Sequence, residues 1–312
     1  MRPLALSTVL AATDLRRESD IALETAQRLA RAAGAALHVV HVEEAHVAPD
    51  RARRSSASAG TRAGDALRRA GIRKSDVKVH VVPGPPANSI RALAELIRAD
   101  VIVVGPHREV ERAAASPRLG GTARAIVAGA RAPCLAVVSP LKIPLERVLV
   151  PIDLSDGARG ALLVALSWAS ALRTGMAPER STVLTALHVA GTRQEGQPER
   201  TTVLEEELEQ LRRDAGSWAG VDIEGTTIVA WPSTAEAIAE YGGDRRADLV
   251  VIGTRGLAPE EAARLGSISG AVVECSPVAV LLVPPSVWKA HVHDDVERAP
   301  ATRAGRDWRP TG

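Results

Sequence analysis

The distribution of apolar residues along the chain predicts an α/β protein. Short, wholly apolar runs such as Val101-Ile-Val-Val104 and Leu249-Val-Val-Ile252 predict strands that are buried on both faces. Between such runs, apolar residues recur with helical spacing, as they do over residues 18–33 and 157–173. Strands that alternate with helices predict a parallel sheet covered by helices on both faces and connected by right-handed crossovers.

The same pattern occurs twice along the chain. Three segments recur in the same order: Val9-Leu-Ala-Ala-Thr-Asp14 and Val148-Leu-Val-Pro-Ile-Asp153, Ala36-Leu-His-Val-Val40 and Ala186-Leu-His-Val-Ala190, and Ala99-Asp-Val-Ile-Val-Val-Gly105 and Ala247-Asp-Leu-Val-Val-Ile-Gly253. The predicted strands are 7–12, 36–42, 77–82, 100–104 and 134–138, then 147–152, 182–189, 222–230, 248–252 and 278–283. The fold class is therefore two repeated doubly wound domains, each a five-stranded parallel sheet with helices on both faces.

The repeat also predicts where the domains begin and end. We expect a first domain over residues 1–140, a linker over 141–146 and a second domain over 147–285. Prolines and charges in the segment from Pro140 to Glu146 favour a short extended connector. Residues 286–312 are polar and lack periodicity, which predicts a flexible tail.

Composition and charge narrow the possible functions. With five Trp, one Tyr and no Phe, the chain is a poor candidate for stacking single-stranded nucleic acid. The formal net charge of +2 gives no strong field toward nucleic acid or membrane, and no apolar run approaches the roughly 20 residues of a membrane span. The two cysteines, Cys134 and Cys275, do not occupy equivalent positions in the repeat. We therefore expect no disulfide framework, no signal peptide and a cytoplasmic location.

A glycine-rich segment after the strand at 248–252 is a candidate phosphate site. Gly253-Thr-Arg-Gly256 is followed, after nine residues, by Gly266-Ser267 at the start of a predicted helix. Glycine lets backbone N–H groups approach a phosphate closely, and a helix N-terminus adds unpaired donors and the positive end of the helix dipole. The alternative is a loop that merely turns tightly. A Walker A loop is excluded because no Gly-Lys-Ser/Thr ending is present.

Two further residue types stand at strand ends. Asp153 follows the first strand of the second half and is interpreted as a ligand contact, because Ser155 and Asp156 are equally able to cap the next helix. His41 and His188 recur near the end of the second strand of each half, and we interpret them as half-buried structural residues rather than metal ligands. No nucleophile–base arrangement is present, so the spacing predicts neither catalytic residues nor a metal site.

The glycine–serine pattern over 253–267 resembles the ATP-binding signature of the universal stress protein family. Asp153 after the first strand, and the closing segment Ser276-Pro277-Val-Ala-Val-Leu-Leu-Val283, strengthen the resemblance. It covers nearly the whole chain except the tail, as a tandem of two such domains.

The resemblance implies ATP between the ends of the first, second and fourth strands of the second half. We expect Mg²⁺ to accompany the phosphates, because their hard oxygen atoms suit it as ligands. Asp153 would contact the ribose and adenine side, and Val189 would flank the adenine. The phosphates would contact Gly253, Gly256, Gly266, Ser267 and Ser269. Family members pair through their last strands, so the resemblance implies an intramolecular pseudo-dimer, with a homodimer as a further possibility and an unknown protein partner.

The first half departs from this pattern. Gly105 is present, but Arg108 stands at the second glycine position, and Gly120-Gly121-Thr122 comes two or three residues later than the spacing requires. Pro106 removes a backbone donor from the loop. Asp14 and Val42 remain at their strand ends, and Arg108 offers a positive charge to a phosphate in place of the glycine. We expect a weakened or lost nucleotide site in this half.

Three functions are consistent with these observations. The leading hypothesis is an ATP-binding universal stress protein that acts as a nucleotide-dependent regulator in a stress response. The alternatives are a slow ATPase or phosphotransferase and an interaction scaffold that binds no nucleotide.

Overall fold

A computed structural model gives the fold of most of the chain. It describes residues 3–43, 49–105, 119–153, 155–177, 179–191, 206, 209–210, 218, 220–230, 233–255 and 265–298. The predicted positions Arg108 and Gly256 lie outside the described residues.

Strands and helices alternate along both halves, as predicted. The strands are β1 Thr8–Ala12, β2 Ala36–Glu43, β3 Val77–Pro83, β4 Val101–Val104, β5 Cys134–Ala136, β6 Arg147–Pro151, β7 Thr182–Gly191, β8 Val221–Ala230, β9 Leu249–Gly253 and β10 Val280–Val283. The helices are α1 Asp20–Ala33, α2 Pro49–Arg69, α3 Pro86–Leu96, α4 Gly121–Gly129, α5 Asp156–Ala171, α6 Thr234–Asp244, α7 Ser267–Cys275 and α8 Ser286–Arg298. Among the described helices, none combines the length and apolar character that crossing a membrane requires.

The strands form one continuous sheet across both halves. Within the described residues the sheet has ten strands in the order β3-β2-β1-β4-β5-β10-β9-β6-β7-β8. Strand pairs within each half are parallel, which confirms the predicted five-stranded parallel arrangement. The last strands of the halves, β5 and β10, pair antiparallel, with Leu135 opposite Leu281. The sheet therefore continues from one half into the other through β5 and β10, and the strands of the two halves run in opposite directions.

Both faces of the sheet are covered, which explains the wholly apolar strands. Successive side chains of β1 alternate between two buried clusters: Val9 and Ala11 lie in one, and Leu10 lies in the other. The first cluster includes α1 and α5, and the second includes α3, α4, α6 and α7. A strand that contacts helices on both sides has no solvent-facing positions, so polar residues are absent from its centre.

The connector between the halves is packed onto the core. Leu141 and Leu145 are each 1% exposed and belong to the same buried cluster as α1 and α5. Asp248 Oδ2 accepts hydrogen bonds from the backbone N–H of Glu146 and Arg147, at 2.8 and 2.9 Å. The connector is therefore attached to the second half at its C-terminal end.

The predicted flexible tail is wrong for residues 286–298, which form helix α8. Val287 and Trp288 pack against the core, and His291 is 7% exposed. The helix packs against α5 near Gly160, where a Cβ would lie at the ordinary contact distance of 3.5 Å from the Trp288 Cβ. A few apolar side chains in a polar segment were too weak a pattern to predict a helix, since their burial depends on the surface of α5. Residues 299–312 lie outside the described residues.

Candidate functional site

Three strand ends of the second half meet at one edge of the sheet. Because β6 lies between β7 and β9, the carboxyl ends of these parallel strands are adjacent. Asp153 follows β6 by two residues, Val189 lies near the end of β7, and Gly253 is the last residue of β9. The structure thus brings these three predicted site residues to the same edge, where ligands of such sheets bind.

Asp153 shapes the entry into helix α5 with one of its two carboxylate oxygens. Its Oδ1 accepts hydrogen bonds from the backbone N–H of Ser155, at 3.1 Å, and from the Ser155 hydroxyl, at 2.6 Å. Ser155 in turn caps the helix by accepting a hydrogen bond from the Ala158 N–H, at 3.2 Å. Within the described residues Oδ2 has no partner, so it is available to a ligand hydroxyl.

The equivalent carboxylate of the first half has a different environment. Asp14 Oδ1 accepts a hydrogen bond from the Arg16 N–H, at 3.0 Å, and the Arg16 guanidinium lies 3.8 Å from Asp14 Oδ2. An exposed ion pair of this kind contributes little to stability. It does place a positive charge beside the oxygen that, in Asp153, has no described partner.

The start of helix α7 presents backbone donors. Gly266 is its N-cap residue and offers no side chain to the first turn, while Ser267 at the first helical position is exposed. The first N–H groups of any helix lack partners within the helix, and the helix dipole makes this end positive. The Gly266 N–H donates to the Thr254 carbonyl, at 2.9 Å, which attaches the helix start to the exit of β9.

Ser269 is used inside this connection. The side chain is 3% exposed, and its hydroxyl lies 3.2 Å from both the Thr254 and the Gly266 carbonyl oxygens, to which it can donate. A hydroxyl that joins the two ends of the loop holds the shape of this connection from within. Ser267, by contrast, is exposed at the surface.

Gly253 allows strand β9 to approach helix α5. A Cβ on Gly253 would lie 2.5 Å from the Gly157 carbonyl carbon and 2.9 Å from its Cα. A Cβ on Gly157 would overlap the Arg255 carbonyl oxygen. Gly157 was not among the predicted residues, although a glycine in the first turn of a largely apolar helix was a visible signal. Gly253 therefore has a packing role, whatever it contacts in a ligand.

Gly266 is also confined by its neighbours. A Cβ there would lie 2.8 Å from the Thr254 carbonyl oxygen and 3.2 Å from the Ser269 hydroxyl. Any larger residue would displace the hydrogen bonds that attach α7 to the β9 exit. Replacing Gly266 would therefore disturb the connection between β9 and α7.

The remaining predicted residues line the strand ends. Val189 is partly buried and packs against the second buried cluster. His188 Nδ1 lies 3.1 Å from the Ile152 carbonyl oxygen, and His41 Nδ1 lies 3.0 Å from the Thr13 carbonyl oxygen. Because a carbonyl only accepts, each ring donates from Nδ1 and joins the second strand to the first. Both histidines are half-buried, as predicted, and each makes a hydrogen bond between neighbouring segments of the sheet.

Metal ligands are sparse in this region. In the part of the chain that the structure describes, no group of three or more His, Cys, Asp or Glu side chains is arranged to hold a metal ion. Among the described residues, the Asp153 carboxylate after β6 and the exposed Ser267 hydroxyl at the start of α7 offer oxygen donors, the ligand type that a hard cation prefers.

Comparison with known proteins supports the repeat. The model of the universal stress protein family matches residues 6–138 and again 144–284. No curated protein matches the chain.

Two solved structures are similar over most of their length. A universal stress protein from Archaeoglobus fulgidus DSM 4304 is 20% identical, with a TM-score of 0.65, over 90% of this chain and 100% of that one. A functionally unknown protein from Pseudomonas aeruginosa PAO1 is 18% identical, with a TM-score of 0.60, over 94% of this chain and 98% of that one. At these identities the similarity shows the fold alone.

Proposed function

The chain belongs to the universal stress protein family, and from this premise we propose that its second half binds ATP and acts as a nucleotide-dependent regulator in a stress response. The observation that carries the proposal is the start of α7, where no side chain caps the first turn and a hydrogen bond attaches the helix to the end of β9. Asp153 follows the neighbouring strand β6 at the same edge of the sheet. In this arrangement the backbone N–H groups of α7 would bind an anion, and the Asp153 carboxylate would bind a hydroxyl.

Each part of the nucleotide has a matching group. The phosphates would accept hydrogen bonds from the first-turn N–H groups of α7 and from the exposed Ser267 hydroxyl, as anions do at helix N-termini. A ribose hydroxyl would donate to Asp153 Oδ2, and Val189 would offer an apolar contact to the adenine. Mg²⁺ would neutralise the phosphates, with the Ser267 hydroxyl as a candidate oxygen ligand and most other ligands supplied by phosphate and water.

Regulation would follow from how the loop is held. The β9–α7 connection is fastened by the Gly266 N–H and the Ser269 hydroxyl, which both reach the Thr254 carbonyl. The Thr254 N–H donates to the Val283 carbonyl of β10, at 2.9 Å, and β10 is the strand that joins the two halves. A nucleotide that shifts this loop would therefore be sensed at the junction of the proposed intramolecular pseudo-dimer, where an unidentified protein partner would detect the change.

The test is the binding of ATP with Mg²⁺ to the full chain by isothermal titration calorimetry. We expect one ATP per chain. Ser267→Glu should lower the affinity at least about tenfold, or about 1.4 kcal/mol, because a carboxylate at the first helical position repels the phosphates while favouring the helix dipole. Gly121→Glu, at the first position of α4 in the other half, is the matched control, since a side chain there meets open space.

A second pair of variants tests the carboxylate. Asp153→Asn keeps an oxygen for Ser155 and removes the charge, so it should weaken ATP binding without unfolding the chain. Asp14→Asn does the same in the first half and should leave binding unchanged. Full affinity in a folded Ser267→Glu protein would overturn the site, and no ATP binding at all would favour the scaffold hypothesis. Phosphate release above background, lost in Asp153→Asn, would favour the slow ATPase.

A further inference from the structure

A cavity in the first half lies apart from the residues assigned to the nucleotide. It occupies about 180 Å³ between the C-terminal part of α3, the start of β4 and the connection from α4 to β5. Its walls include Arg91, Arg98, Arg131 and Glu95. We propose that this cavity is a binding site for a small organic anion, with one carboxylate or phosphate group on a short apolar body.

Most of the charged lining residues are exposed to solvent: Glu95, Arg98 and Arg131. The Arg91 guanidinium lies across Gly129, where a Cβ would overlap it, and donates to the Asn88 side-chain oxygen at 2.5 Å. Arg131 Nε lies 3.6 Å from Glu95 Oε1. Three guanidinium groups and one carboxylate leave an excess of positive charge. Planar guanidinium groups bind oxyanions with two parallel hydrogen bonds, which suits carboxylate and phosphate alike.

The interior of the cavity is apolar. Ala94, Ala99 and Ile102 are buried side chains of its lining, and Ala130 and Ala132 contribute further methyl groups. An apolar cavity of about 150 Å³ is large enough for a benzene ring, so this one accommodates a ring or short chain but not a nucleotide. The combination selects an anion with an apolar body over inorganic phosphate.

Two of the arginines that line this cavity have no counterpart in the second half, so the repeat itself does not require them. In the repeat, Arg91 corresponds to Ala239 and Arg131 corresponds to Pro277. Pro277 instead packs over α6, where its Cγ lies 3.2 Å from the Cβ position of Gly243. The first half therefore carries two arginines beside this cavity where the second half has alanine and proline.

One arginine has a close counterpart that serves as a control. Arg98 and Arg246 precede the matching Ala-Asp pairs of the repeat, and both adopt left-handed backbone, with φ of 51° and 52°. Only Arg98 lines the cavity. Asparagine tolerates this backbone conformation, so Arg98→Asn and Arg246→Asn remove the same charge from the same turn at similar cost.

The cavity is linked to the edge that carries the second-half loop. Because β5 and β10 are antiparallel, the amino end of β5 lies beside the carboxyl end of β10. The Ser286 hydroxyl, three residues beyond β10, donates to the Arg131 carbonyl at 3.2 Å. The anion site stands on its own lining residues, however, and its existence does not depend on ATP binding elsewhere.

Isothermal titration calorimetry of the full chain with benzoate, phenyl phosphate and inorganic phosphate tests the proposal. We expect one saturable site for benzoate or phenyl phosphate, at least tenfold tighter than for inorganic phosphate. The double variant Arg91→Gln/Arg98→Asn should weaken that binding at least tenfold, and Arg246→Asn should leave it unchanged.

Several results would overturn the site. They are the absence of saturable binding by both organic anions, equal or tighter binding of inorganic phosphate, and unchanged affinity in the folded double variant. Arg98→Asn alone, at an exposed position, remains informative if the double variant does not fold. A parallel ATP titration of the same samples keeps this outcome separate from that of the nucleotide site.

Discussion

The contact between Gly253 and Gly157 leads to a prediction that separates packing from ligand binding. In Gly253→Ala the new methyl group would lie 2.5, 2.8 and 2.9 Å from the carbonyl carbon, oxygen and Cα of Gly157. These are backbone atoms in the first turn of α5, so they cannot move aside as a flexible side chain would. Either the exit of β9 or the start of α5 must shift, and overpacking of this kind costs about 1–3 kcal/mol of unfolding free energy.

The equivalent glycine of the first half gives the matched control. A Cβ on Gly105 would lie 3.4 Å from the Ala22 Cβ and 3.4 Å from the Ser19 Cα, and both contacts require little movement. Gly105→Ala also restricts the unfolded chain, which stabilises a protein by about 0.4–1 kcal/mol where the native backbone permits alanine. We therefore expect the two variants to differ by roughly 1.5–4 kcal/mol.

Urea denaturation followed by two probes measures this difference. All five tryptophans lie at or after position 168, so their fluorescence reports the second half, whereas far-UV circular dichroism reports both. Gly253→Ala should lower the midpoint of the fluorescence transition. If Gly253→Ala is as stable as Gly105→Ala, the close approach of the two backbones does not constrain the chain and the packing role of Gly253 is wrong.

Three further predictions concern other parts of the molecule. Burial, followed by nearby positive charge, lowers the pKa of His38 and His80 below the usual 6.5. As the pH falls below about 6.5, the unfolded chain therefore binds more protons than the folded chain, and the free energy of unfolding should decrease. Urea midpoints measured at about pH 7.5 and pH 5 should show this decrease, and it should be smaller in H38Q/H80Q. Trp288→Ala should lower the free energy of unfolding by about 1–3 kcal/mol, because it removes a contact of α8 with the core. This loss is smaller than for a fully buried tryptophan. An unchanged urea midpoint would contradict the packing of α8 on the core. Burial raises the pKa of the Cys134 thiol to about 12, whereas Cys275 is exposed. A thiol reagent at about pH 8 should therefore modify Cys275 in the native chain and Cys134 only after unfolding. The Cys275→Ser variant should not react until it is unfolded.

Much of the fold could be predicted because buried parallel strands leave a strong pattern. The runs at Val101–Val104 and Leu249–Gly253 are apolar at nearly every position, since helices cover both faces, and their predicted bounds agree with the structure to within one residue. The position of Asp153 at a strand end was equally readable. Its hydrogen bonds to Ser155, and the choice of Ser155 rather than Asp156 as the cap, depended on local geometry that the spacing left open.

Residues at the candidate site were only partly predictable. Ser267 and Ser269 have the same chemistry and stand two positions apart, yet one is exposed and the other is buried against the Thr254 carbonyl. Helical geometry turns residues two apart to different sides of a helix. Which side faces the core was decided by the packing of α7 on the sheet.

The sequence by itself determined the two halves, the order of their strands and helices, and the family, because each depends on patterns that are local along the chain. Only the tertiary structure decided how distant segments meet. The resemblance implied that the last strands pair, but the register of β5 against β10 was decided by the fold. So were the packing of α8 against α5, the approach of Gly253 to Gly157 and the cavity beside Arg98, which all join residues far apart in sequence. Contacts of this kind depend on the shapes of both partners, and shape exists only once the chain has folded.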